Sequence, residues 1–85
     1  MLELRPEVAA FAQAMEAQLR ANDHKPGWKD EDRGDLMERL HDEVGELEVE
    51  LVYRGSRRPG LVLKEAADVA NFAMMVADVC GGLGT

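Results

Sequence analysis

The chain has 85 residues, and its 10 Lys+Arg against 17 Asp+Glu leave a formal net charge of −7. That length holds one small domain with a marginal monomeric core, and the acidity repels phosphate backbones, which excludes sequence-independent binding to a nucleic-acid polymer. A hydrophobic fraction of 46% excludes a disordered chain, and the one cysteine, Cys80, excludes an intramolecular disulfide.

No segment alternates apolar and polar residues as a half-buried strand would, and aromatics make up only 5%. The pattern predicts an all-α chain of three antiparallel helices in a single domain, residues 1–85. The first helix is expected over 6–21, with Pro6 at its start and Val8, Phe11, Met15 and Leu19 as its apolar stripe. A polar connection follows, from His24 to Asp32, carrying the turn-forming pair Pro26-Gly27 and the only tryptophan, Trp28. The second helix is expected over 32–54, with Leu36, Leu40, Val44, Leu47 and Leu51 along one face and Gly55 as its stop. The third spans 61–79 and ends at Gly81-Gly82. The apolar stretch from Ala66 to Leu83 is interrupted by Asp68, Asn71 and Asp78, which excludes a spanning helix. With no basic stretch and apolar run at the start, a cytoplasmic setting away from membranes is expected.

The acids are placed unusually. Helix positions advance by about 100° per residue. With Glu65 at zero, Phe72, Val76, Val69 and Val79 all fall within about 40° of it, and Asp68 lies about 60° away at the margin. Glu65 is thus inside the apolar sector, where an unpaired carboxylate is costly. On the second helix Glu43 and Glu50 border the core stripe and Glu46 lies one step outside it. Two acidic pairs at i, i+3, Glu43/Glu46 and Glu65/Asp68, therefore face or flank the bundle interior. Helices packed about 8–10 Å apart bring such pairs around one point, and a hard cation such as Mg²⁺ takes oxygen ligands of this kind. A single Glu-x-x-Glu pair is commonplace on solvated helices; two pairs turned toward apolar stripes are not.

The run Glu43-Val44-Gly45-Glu46-Leu47, followed after 18 residues by Glu65-Ala66-Ala67-Asp68-Val69, resembles the Glu-x-x-Glu…Glu-x-x-Asp signature of MazG-like, all-α nucleoside triphosphate pyrophosphohydrolases. Leu40 and Asp42 before it and Asn71-Phe72 after it also fit, so the resemblance covers roughly residues 24–80. It implies that Glu43, Glu46, Glu65 and Asp68 hold Mg²⁺, with Mn²⁺ as a substitute. It also implies cleavage of an NTP or dNTP between its α and β phosphates, giving a monophosphate and pyrophosphate, as in the house-cleaning of non-standard nucleotides. A free carboxylate among Glu43, Glu46 and Glu50 would serve as general base.

Phosphoryl transfer also calls for cations and a base contact. Lys25, Trp28 and Lys29 in the first connection, Arg57 within the basic patch Arg54-Arg57-Arg58, and Asn71 are the candidates for nucleotide binding. Trp28 could equally plug the open end of the bundle, the arginines could answer a helix dipole, and Asn71 could be an ordinary polar helix residue. His41 points away from the stripe and is expected in solvent, whereas Cys80 is expected as a small core residue. Members of the family usually carry a further helical segment, so a homodimer or homotetramer completing four-helix bundles is expected. The alternative function is a non-catalytic helical interaction or nucleotide-sensing module of the same fold.

Overall fold

Pro6 opens the first helix, α1 (Pro6–Ala21), of the computed structural model, which describes residues 1–55 and 57–84. A proline at that position forfeits only an N–H that lacks an intrahelical acceptor. Asn22 closes α1, its Nδ2 donating to the Gln18 carbonyl at 3.0 Å. Helix α2 (Arg33–Glu48) starts one residue after Asp32, whose Oδ2 accepts from the Gly34 N–H at 2.8 Å and the Asp35 N–H at 3.3 Å. That capping answers two of the four orphan donors of a helix start. The helix continues directly into a π-helical turn, Val49–Tyr53, which the sequence pattern did not foresee, and then reaches Gly55 at φ +64°.

Helix α3 (Pro59–Val79) begins two residues before the predicted start, because Pro59 fills a first-turn position as Pro6 does. At its far end the Gly81 N–H returns to the Asp78 carbonyl and the Gly82 N–H to that of Ala77, both at 2.9 Å. Gly81 sits at φ +83°, a conformation that a side chain would strain. Among the described residues there is no strand.

Helix α3 is the central element. Both α1 and α2 pack against it, and α1 and α2 do not pack against each other. Leu36, Ala67 and Phe72 form the buried apolar core, and Phe11, Met15, Leu19, Leu40 and Leu47 are half-buried around it. The remaining stripe residues stay in solvent in the single chain: Val8 is exposed, and Val44 and Leu51 are 45% and 44% exposed. Cys80, expected in the core, is exposed instead. It lies just past the last residue of α3, beyond the packed turns of the helix. His41 is exposed, as its wheel position indicated.

The accessible surface is 6377 Å², against about 5,000 Å² for a compact monomer of this mass. The radius of gyration is 13.7 Å, where about 12 Å would be usual for a chain of this length. Both quantities describe helices that leave apolar faces uncovered. Among the described residues, no helix is long and apolar enough to cross a membrane.

Candidate functional site

The pairing of α2 with α3 sets the acids against one another. Glu43 and Glu46, one turn apart on α2, meet Glu65 from α3, and one carboxylate oxygen from each lies within 4.8 Å of the others. Asp68, one turn beyond Glu65, joins this group through Lys64. The Lys64 ammonium donates to Asp68 Oδ2 at 3.0 Å and to Glu65 Oε1 at 3.4 Å. Glu43 Oε2 and Glu65 Oε2 are buried without a hydrogen-bond donor among the described residues.

The electrostatics follow from that crowding. Burial, the hydrogen bond with Glu46 and the charges of Glu46, Asp68 and Glu65 push the Glu43 carboxyl up to about 7. Burial also raises Glu65, with Lys64 opposing the shift. Its hydrogen bond to Asp68 raises Lys64, which stays an ammonium. A carboxyl raised in the folded state stabilises the fold below its unfolded value and loses that contribution as pH climbs through the folded one. For Glu43 the window runs from 4.5 to about 7. In chelator, the wild-type melting temperature is therefore expected to fall between pH 5 and pH 7.5. Glu43→Gln should flatten that decline and melt higher than wild type at pH 7.5. Parallel melting curves for the two proteins across this range would refute the assignment.

A cavity of about 630 Å³ opens beside the acids, between the end of α1, the connection that follows it, and α2, with α3 beneath. Glu43, Glu46 and Asp68 line it, and so do the predicted nucleotide contacts Lys25, Trp28 and Asn71. Asn71 is buried, its Nδ2 donating to the Met15 carbonyl at 3.0 Å, while its Oδ1 has no partner among the described residues. Lys29 is turned elsewhere, since its ammonium lies 2.6 Å from Asp78 Oδ2. Arg57 lines a different cavity of about 520 Å³, together with Tyr53, Arg54 and Arg58. Arg58 is 2.6 Å and Arg54 3.7 Å from Glu50 Oε1, so the buried Glu50 is held by the basic patch and does not line the acidic cavity.

Three residues of this region escaped the sequence reading. Lys64 precedes Asp68 by four positions, a spacing that places both on one helix face and could have been read. Arg39 lies on α2 one turn before Glu43. Its guanidinium covers the Phe72 ring at 4.6 Å from the centroid and makes no ion pair among the described residues. Asp78, counted only as a break in an apolar run, is buried on the last turn of α3 and accepts from Trp28 Nε1 at 2.9 Å as well as from Lys29. It thereby ties the connection after α1, one wall of the cavity, to the central helix.

Comparison with models of protein families, with curated proteins and with solved structures gives no match in any of the three.

Proposed function

We propose that the chain is a Mg²⁺-dependent nucleoside triphosphate pyrophosphohydrolase, with Glu43, Glu46, Glu65 and Asp68 as metal ligands and Mn²⁺ as a substitute ion. The observation that carries this reading is the convergence of Glu43, Glu46 and Glu65 oxygens within 4.8 Å, with Glu43 and Glu46 lining a cavity of about 630 Å³. Two of the buried carboxylate oxygens there, Glu43 Oε2 and Glu65 Oε2, have no hydrogen-bond donor among the described residues, and the donor set is entirely of hard oxygens. Such a set suits a small divalent cation, and its like charges are otherwise mutually destabilising.

When bound, the cation supplies charge stabilisation at phosphate oxygens and acidifies water. The protein side chains do the rest. Of the Glu43/Glu46 pair, a carboxylate oxygen not engaged by the cation would take the proton from the attacking water. Arg39 and Lys25, exposed on the cavity wall, offer cationic donors to the phosphates, and Trp28 forms an aromatic wall for the base. Asn71 offers an acceptor to it from the cavity floor. In this reading Lys29 supports Trp28 rather than touching the nucleotide, and Arg57 belongs to the neighbouring cavity. A cytoplasmic role in clearing unwanted NTP or dNTP is part of the same proposal.

The test is a panel of ribo- and deoxynucleoside triphosphates incubated with Mg²⁺ and with chelator, the products being separated by chromatography. Metal-dependent appearance of monophosphate and pyrophosphate together is expected. A folded protein that turns over none of them would sink the enzyme reading and leave a non-catalytic interaction or nucleotide-sensing module.

A second copy of the chain completes the proposal, as a homodimer or homotetramer. Met37, Leu40, Val44, Leu47 and Leu51 recur at alternating spacings of three and four along α2 and its π-helical turn, and Met37, Val44 and Leu51 are exposed. That is the spacing of a coiled-coil seam. Light scattering should give at least twice the chain mass, and Met37→Lys should shift the protein toward a monomer. A monomeric wild type at high concentration would rule the assembly out.

A further inference from the structure

The acidic cluster already contains one cation. Lys64 sits on its α3 side with its ammonium 3.0 Å from Asp68 and 3.4 Å from Glu65, two of the four proposed ligands. We infer that Lys64 is the built-in counter-ion of this cluster, displaced by the divalent cation and then turned to the phosphates of the nucleotide. The inference rests on the metal-dependent reading above.

Three observations carry it. The ammonium contacts Glu65 and Asp68 but leaves Glu43 Oε2 and Glu65 Oε2 without partners, so it neutralises the cluster only in part. A single charge cannot balance four carboxylates, and a divalent ion bound to the same oxygens would repel an ammonium a few ångströms away. The side chain is free to leave: it is 43% exposed and carries its charge on a flexible four-carbon stem. Finally, Lys64 lines the same cavity as Arg39, Lys25 and Trp28, so an ammonium leaving the acids remains within the proposed nucleotide site. Departure from Asp68 leaves it facing a cavity in which the phosphate oxygens of a bound nucleotide would be the nearest mobile anions, with the Asp23 and Glu31 carboxylates also on its lining.

This arrangement makes opposite predictions for two ligands. Removing Lys64 takes a competitor away from the metal and a partner away from the nucleotide. In calorimetric titrations of the metal-free full chain, Lys64→Met is expected to bind Mn²⁺ alone about tenfold more tightly than wild type, the scale of one lost close charge contact. A non-hydrolysable α,β-methylene triphosphate analogue, titrated in saturating Mn²⁺, is expected to bind the same variant about tenfold more weakly, because one charged contact to phosphate is gone. Lys64→Arg keeps the charge and should stay close to wild type for Mn²⁺.

Circular dichroism of each variant checks that the helices are retained. Mn²⁺ binding to Lys64→Met alone, with none to wild type, would also support the inference. Unchanged or weaker Mn²⁺ binding to Lys64→Met, where wild type binds the ion, would overturn the counter-ion role and leave the metal site standing. Tighter Mn²⁺ binding with unaltered analogue affinity would overturn the transfer to phosphate. Binding of Mn²⁺ to neither protein would overturn the inference together with the metal-dependent function.

Discussion

On the proposed pyrophosphohydrolase reading, Glu65→Gln and Asp68→Asn are each expected to lower metal-dependent pyrophosphate release by at least about a thousandfold, the effect of losing several kcal/mol of transition-state stabilisation. Each change is nearly isosteric, so packing on α3 should survive. What changes is the donor set, because an amide offers one neutral oxygen where a carboxylate offers two that share a negative charge. Three of the four proposed ligands remain in each variant, yet three quarters of a ligand set is not three quarters of a site. The double variant should therefore be no slower than either single one, since residues acting as a unit do not add. Loss of activity through unfolding is separable: without metal, Glu65→Gln relieves a buried carboxyl already raised by burial and should melt no lower than wild type at pH 7.5. Substantial turnover by Glu65→Gln, measured as monophosphate formed, would remove α3 from the chemistry.

The largest expected stability effect away from the acids belongs to Asp78. Its side chain is only 2% exposed, and it accepts from the Trp28 indole N–H at 2.9 Å and from Lys29 at 2.6 Å. Asp78→Ala leaves the indole donor without this acceptor and costs about 1–3 kcal/mol. At this chain length that lowers the melting temperature by roughly 10 °C. Lys29 is 58% exposed and returns to water, so little of the cost arises there. Asp78→Asn keeps an acceptor for Trp28 and should fall between wild type and Asp78→Ala. Because Trp28 is the only tryptophan, its fluorescence reads the same contact directly, and a red-shifted emission is expected in Asp78→Ala. Unchanged emission and melting would show that the connection holds its place without Asp78.

How far each feature could be read from the chain depends on the range of the forces behind it. Helix starts and stops at Pro6, Asp32, Gly55 and Gly81 were legible because capping and backbone preference act within a few residues. The misplacement of Glu65 and Asp68 was legible for the same reason, since wheel geometry needs only the rise and turn of one helix. The π-helical turn at Val49–Tyr53 was not, as it depends on what packs around the end of α2. Cys80 was misjudged because a small apolar residue type does not ensure burial once the helix that would carry it inward has ended.

The chain by itself determined three helices and two acidic pairs turned toward their apolar faces. Tertiary structure alone decided which acids meet, that α1 and α2 stand apart and open a cavity over α3, and what the loop residues touch. It sent Lys29 to Asp78, 49 positions away, and Asn71 to Met15, 56 positions away. Local propensity has no hold at such separations, where only the packing of whole helices selects one partner among many.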